Sequence, residues 1–90
     1  MNKLLAALLT LLMTSAFAAV DVNTGTQAEL EQLKGIGPDL SQRIVDERKK
    51  SPFVDWDDLM ARVPGLKKRA AQRLSEQGLT VGGAPLGDRR

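Results

Sequence analysis

The stretch from residue 30 to residue 44 returns thirty positions later, and this repeat constrains the fold more than any other feature of the chain. In each copy a short apolar segment reaches a glycine turn, and a second segment with helical spacing of apolar residues follows at once. The matching pairs are Leu30 with Met60, Leu33 with Val63, Gly35 with Gly65, Ile36 with Leu66, Leu40 with Ala70, Gln42 with Gln72, Arg43 with Arg73 and Ile44 with Leu74. Self-similarity at a fixed period marks a duplicated supersecondary unit. We therefore expect two successive helix pairs, each joined by a glycine turn.

The first turn, Lys34-Gly35-Ile36-Gly37-Pro38, has the features of an anion site. Glycine can take a positive φ and lets the backbone approach an outside group closely, and proline suits the first position of a helix. Such a turn presents unpaired backbone N–H groups at the positive end of a helix, and Lys34 adds a mobile positive charge. The segment therefore predicts a clamp for a phosphate of a nucleic-acid backbone.

The alternative is that a G-x-G turn between two helices is only a tight corner. The repeat favours the phosphate clamp, because both copies place basic residues beside a glycine turn. Two such copies are harder to explain as corners than one copy would be.

The chain resembles the helix-hairpin-helix family, and more narrowly the tandem form in ComEA-type competence DNA receptors. The resemblance covers roughly residues 20 to 82 and includes the second hairpin. It rests mainly on Val22-Asn23-Thr24, Ala28-Glu29-Leu30, the run from Leu33 to Gly37, the run from Ile44 to Arg48, Pro52-Phe53 and Asp58-Leu59-Met60. The resemblance implies sequence-independent binding of double-stranded DNA, with the DNA-uptake machinery as a further partner.

The second hairpin departs from the family pattern, because Lys67 stands where a second glycine is expected. A lysine cannot match the close approach of glycine, but it can reach a phosphate by charge, so we expect a weaker or differently built second contact. The residues expected to contact DNA are Lys34, Gly35, Ile36, Gly37, Pro38, Arg43, Pro64, Gly65, Lys67, Lys68, Arg69 and Arg73.

Residues 1–18 have the pattern of a secretory signal peptide. Lys3 precedes an apolar run, and Ala16-Phe17-Ala18 is a small-x-small cleavage site. We expect cleavage after Ala18 and a periplasmic mature protein. The alternative is an uncleaved membrane anchor, which would be the protein's only contact with the membrane.

The rest of the chain is expected to form an all-α, four-helix domain over residues 19–82, followed by a disordered tail at 83–90. The expected helices run from about Gln27 to Leu33, from Pro38 or Asp39 to Lys49, from a cap at Asp55 or Asp57, and from Lys67 or Lys68 to Gln77. Phe53, Val54 and Trp56 are placed against the core. For Trp56 the alternative is an exposed ring that stacks on bases.

Between residues 20 and 82 there are ten basic and ten acidic residues, so the formal charge of the domain is zero. The basic residues Arg62, Lys67, Lys68, Arg69 and Arg73 nevertheless follow one another around the second hairpin without an intervening acid. Cations are unfavourable at a helix N-terminus. Three of them there indicate that an outside anion offsets the cost.

The chain has no histidine and no cysteine, which removes the usual zinc, haem and thiolate chemistries. We expect no enzymatic activity, no cofactor and no small-molecule substrate. A base-flipping enzyme needs a pocket and a larger domain than about sixty residues provide. The rival to DNA binding is a small exported protein-interaction or structural domain whose hairpins are only corners.

Overall fold

The computed structural model describes residues 19–87, which form four helices and one pair of short strands. The elements are β1 (Val20–Asp21), α1 (Gln27–Glu31), α2 (Pro38–Lys50), α3 (Trp56–Arg62), α4 (Lys68–Glu76) and β2 (Leu79–Thr80). The prediction of four helices is confirmed, and the strands are an addition to it. The predicted signal peptide lies outside the described residues. Within residues 19–87, no helix has the length and apolar character that a membrane crossing requires.

Side chains of the N-cap residues accept hydrogen bonds from the first amides of α1 and α3. Thr26 and Glu29 form a reciprocal capping box at α1, and the carboxylate of Asp55 accepts the amide of Asp58 at α3. These interactions confirm the predicted capping box and select Asp55 over Asp57. Helix α1 ends at Glu31, before the predicted Leu33, because the chain tightens there: the amide of Leu33 donates to the carbonyl of Leu30, three residues back, at 3.1 Å.

The strands β1 and β2 run parallel and join the two ends of the domain. Val20 lies opposite Leu79 and Asp21 lies opposite Thr80. The amide of Val20 donates to the carbonyl of Gly78 at 3.0 Å, and the hydroxyl of Thr80 donates to the carboxylate of Asp21 at 2.7 Å. Two residues are too few to show the alternation that identifies a strand in a sequence.

One hydrophobic core is shared by both helix pairs. Val22 is fully buried in this core. Trp56 is only 6% exposed, so its predicted core position is confirmed and the alternative, stacking on bases, is wrong. The indole N–H of Trp56 donates to the carbonyl of Ala84 at 2.9 Å. The placement of Val54 in the core is also wrong, because this side chain is 79% exposed. The amide of Val54 donates to the carboxylate of Asp58 at 2.9 Å, so this residue is held by its backbone.

The repeat is confirmed in three dimensions. Residues 33–47 and residues 63–77 have the same order of buried, half-buried and exposed positions throughout. The helical spacing of apolar residues also predicts that Leu40 and Ala70 face inward. Both are only half-buried, and the following residues, Ser41 and Ala71, are fully buried. The first buried position of each helix is therefore one residue later than predicted, whereas Ile44 and Leu74 are buried as predicted. Ser41 is satisfied there by donating its hydroxyl to Glu31 Oε2 at 2.6 Å.

The domain extends beyond the predicted boundary at residue 82. Val81 and Ala84 pair through a tight turn whose central glycines have positive φ. Leu86 packs on the core, and its amide donates to the hydroxyl of Ser75 at 2.9 Å. Residues 83–87 therefore belong to the domain, because their backbone completes the hydrogen bonding of Trp56 and Ser75. Residues 88–90 of the predicted tail lie outside the described residues.

Candidate nucleic-acid interface

The two hairpin turns follow the same backbone course. Gly35 has φ of 103° and Gly65 has φ of 93°, a region that favours glycine. Two residues later, Gly37 and Lys67 precede their helices with φ of −92° and −104° and with the same ψ of −172°. Lys67 therefore leaves the backbone course of the second turn unchanged, and the expected weaker or differently built second contact stays a prediction.

Gly37 is exposed and has no internal reason to be glycine. Its extended backbone is one that any residue adopts, as Lys67 shows. A Cβ added to Gly37 would meet nothing within 4 Å, whereas a Cβ on Gly35 would lie 3.8 Å from the side chain of Leu74. Gly37 therefore leaves open space outside the protein, at the start of α2.

The starts of α2 and α4 differ from those of α1 and α3, because no side chain caps them. Within residues 19–87, no hydrogen bond uses the amide of Gly37 or Lys67, or the amides of the first helical turn that follows each. These groups face solvent at the positive end of a helix dipole, where anions bind. The two uncapped helices are the two that follow the hairpin turns.

Ile36 does not belong to this surface, although the sequence placed it among the contacts. Its side chain is 3% exposed, and its amide donates to the carbonyl of Leu33 at 3.1 Å. Leu66 repeats this arrangement with the carbonyl of Val63 at 3.2 Å. Both residues anchor the turn to the core, so neither offers a side chain or an amide to a phosphate.

The first turn is held by Gln77, a residue that the sequence did not single out. The amide of Lys34 donates to Gln77 Oε1 at 2.8 Å, and Gln77 Nε2 donates to the carbonyl of Lys34 at 2.9 Å. The backbone of Lys34 is thereby occupied, while its exposed side chain makes no hydrogen bond or ion pair within the described chain. No local pattern could reveal this contact, because 43 residues separate the partners.

Two arginines that resembled surface cations are structural. Arg48 donates to the carbonyls of Val22 and Gly25 at 3.0 and 2.6 Å. Arg62 donates to the carbonyl of Glu47 at 2.7 Å, and its guanidinium lies 4.3 Å from the centre of the Phe53 ring. The assignment of Arg62 to the basic cluster of the second hairpin is therefore wrong.

The carboxylates around Arg62 are held in their charged form. A hydrogen bond from Lys50, with help from Arg62, keeps the pKa of Glu47 below its ordinary value. The amide of Val54, followed by Arg62, lowers the pKa of Asp58 in the same way. This ionic cluster connects the end of α2 to α3 and supports the fold.

The other predicted cations remain available. Within residues 19–87 none of their side chains makes an ion pair or a hydrogen bond, and all are exposed. These residues are Lys34, Arg43, Lys67, Lys68, Arg69 and Arg73. Pro38 and Pro64 are also exposed, beside the glycine turns. In the described part of the chain, no three His, Cys, Asp or Glu side chains come together in a way that could hold a metal ion.

A family model described as a helix-hairpin-helix motif matches residues 15–77, which include both repeats. The searches of curated proteins and of solved structures gave no match.

Proposed function

The chain belongs to the helix-hairpin-helix family, whose motif generally binds nucleic acids, and we propose that it binds double-stranded DNA through the phosphates, whatever the base sequence. One observation carries the proposal: the two helices that follow the hairpin turns are the two whose first amides no side chain caps. Unpaired amides at helix starts bind anions, and contacts to phosphates carry no base information.

At the first hairpin the contact is made mainly by backbone. Gly35 and Gly37 are exposed, and the open space at Gly37 lets a phosphate oxygen approach the amides at the start of α2. Lys34, in the turn, and Arg43, in α2, supply positive charge from exposed side chains. Because Pro38 fills the first helical position, no amide there is left without a partner.

At the second hairpin the contact is made mainly by charge. Lys67, Lys68 and Arg69 stand at the start of α4, and the first turn of this helix contains no acidic residue. Cations at this end of a helix are stabilised when an anion binds between them. With so few phosphates neutralised, we expect a micromolar affinity and a slope of log K against log salt of roughly −2 to −4.

The biological role we propose is retention of incoming DNA outside the cytoplasm during natural transformation. It is supported by the signal-peptide pattern of residues 1–18 and by the resemblance of residues 20 to 82 to competence DNA receptors. The protein then acts in the periplasm as a binding protein without catalytic activity, and the DNA-uptake machinery is its partner.

Fluorescence anisotropy with the chain that starts at Ala19 tests the DNA contact. Two duplexes of unrelated sequence and one single strand are titrated at a series of salt concentrations. We expect both duplexes to bind alike and to weaken together as salt rises. If neither duplex binds at low salt, the rival explanation holds, and the hairpins are corners of a protein-interaction or structural domain.

Export is tested separately, with the full chain expressed in a bacterium that secretes through the general pathway. We expect a periplasmic product whose mass corresponds to a chain that starts at Ala19. A product that keeps residues 1–18 and sediments with membranes would instead establish the uncleaved anchor.

A further inference from the structure

Gln77 holds both polar groups of a single backbone residue. Its side-chain amide accepts from the N–H of Lys34 at 2.8 Å and donates to the C=O of Lys34 at 2.9 Å. Gln77 itself is fixed, because it is the C-cap residue of α4 and its backbone amide donates to the carbonyls of Arg73 and Leu74. The end of the second hairpin is therefore joined to the turn of the first.

This grip sets the direction of the next amide. The C=O of Lys34 and the N–H of Gly35 belong to one planar trans peptide, in which the two groups point in opposite directions. Because the C=O points at Gln77, the N–H of Gly35 points away from it. Gly35 is exposed, and its amide makes no hydrogen bond within the described chain.

We propose that Gln77 is a positioning residue for DNA binding, which aims the Gly35 amide at a phosphate oxygen. The inference rests on the proposed function and adds a residue that does not itself contact DNA. Without the grip, the peptide between Lys34 and Gly35 can rotate, and its N–H no longer has a fixed direction. The positive φ of Gly35 makes such rotation easy, since glycine has many accessible backbone states.

The second hairpin lacks this device. At the corresponding positions of the repeat, Pro64 replaces Lys34 and Glu47 replaces Gln77. Proline has no amide to donate, and the Glu47 carboxylate is engaged by Lys50 and Arg62 at 2.7 and 3.4 Å. The effect of Gln77 is therefore confined to the first turn, which provides an internal control.

The test compares wild type, Gln77→Ala, Gln77→Glu and the control Gln72→Ala. Gln72 is an exposed glutamine on the same helix, and its side chain makes no hydrogen bond within residues 19–87. Duplex affinity is measured for all four, beside thermal unfolding. We expect Gln77→Ala to bind about three- to tenfold more weakly, the loss typical of one hydrogen bond. Gln77→Glu should lose at least as much, because a carboxylate cannot donate to the Lys34 carbonyl. Gln72→Ala should bind like wild type.

The decisive readout is the amide NMR spectrum during a duplex titration, at a temperature where all variants are folded. In wild type we expect the signals of Gly35 and Lys67 both to shift. In Gln77→Ala the Lys67 signal should still shift, while the Gly35 response is lost. A merely structural role would lower the melting temperature and leave both responses intact.

Two outcomes separate this inference from the proposed function. If wild type and Gln77→Ala bind the duplex with equal affinity and show the same Gly35 shift, the positioning role is overturned and DNA binding remains. Failure of wild type to bind any duplex overturns both.

Discussion

The two hairpins share a backbone but differ in the chemistry of their turns. The first turn has glycine before its helix, an acidic residue, Asp39, in the first helical turn, and a glutamine that holds its backbone. The second has Lys67 before its helix, two further cations and no acid. The positions that face the core are the same in both copies. Packing therefore fixes the turn geometry, while the outer residues are free to differ: one turn is rich in glycine and the other in cations.

The largest effect is expected from reversing charge at the second hairpin. Lys67→Glu with Lys68→Glu removes two cations from the start of α4 and places two carboxylates at the proposed phosphate contact. We expect duplex affinity to fall by more than about tenfold at low salt, with a salt slope flatter by about 1 to 2. Anisotropy titrations over a salt series measure both quantities.

The matched control for this reversal is Lys49→Glu with Lys50→Glu, which changes the net charge equally at the far end of α2. It also replaces the Lys50–Glu47 ion pair with two like charges, so thermal unfolding is measured beside binding to show that this variant is folded. An equal loss of affinity in both double variants would mean that net charge alone matters. The second hairpin would then not be a charged contact that differs from the first.

The next effect concerns the glycine with positive φ that each turn contains. Gly35→Ala and Gly65→Ala each place a Cβ on a residue with positive φ, so each should lower the free energy of unfolding by about 1–2 kcal/mol. Gly37→Ala should leave it nearly unchanged, because its φ is ordinary and the space around it is open. Urea denaturation measures all three. A large loss in Gly37→Ala would contradict the equivalence of Gly37 and Lys67.

A smaller effect separates backbone contact from charge contact at the first turn. Gly37→Val should fold like wild type, but its branched side chain fills the open space before α2. We expect duplex affinity to fall by about three- to tenfold, with an unchanged salt slope, since hydrogen bonds are lost but no charge is. The comparison variant is Lys67→Val, which should flatten the slope. Full affinity in Gly37→Val would show that DNA does not approach this turn closely.

The smallest effect distinguishes Gln77 from its counterpart in the repeat. Gln77 holds the first turn and does not ionise, whereas Glu47 belongs to an ionic cluster. The pKa values of Glu47 and Asp58 are lowered in the folded protein, so the unfolded chain takes up protons first as pH falls. Stability should be full above about pH 5 and decline as the pH drops through the folded pKa values.

Urea unfolding from pH 7 to pH 2.5 measures this decline. Glu47→Gln with Asp58→Asn should be less stable at pH 7 and should show a shallower acid decline, because these carboxylates can no longer be protonated. An identical pH profile in the double variant would place the acid sensitivity elsewhere.

Much of the fold could be predicted because its signals are written in the sequence itself. The capping box at Thr26 and the start of α2 at Pro38 follow from neighbouring residues, the two hairpins follow from the internal repeat, and the structure has all of them. The strand pair could not be predicted, because two residues carry no periodic signal. The docking of Leu86 could not be predicted either, since it depends on a hydroxyl eleven residues away.

The candidate site was predictable in its residue types but not in its roles. Sequence showed the glycine turns and the cations, and it could not show which arginines the fold would use. Arg48 and Arg62 bind carbonyls of segments that approach them only after folding. Gly35 and Gly37 looked alike in the sequence. The positive φ of Gly35 shows that its backbone favours glycine, whereas the ordinary φ of Gly37 shows that this glycine only leaves open space outside the protein.

The pairing of Val20 with Leu79 has a consequence for how the protein is made. A chain that emerges from a ribosome or a membrane channel N-terminus first cannot complete this contact until nearly all of the domain has followed. Contacts between residues so distant in the chain slow folding, because a long loop must close before they form. The domain should therefore acquire its structure late and in a single step, after the whole polypeptide has left the ribosome or the channel.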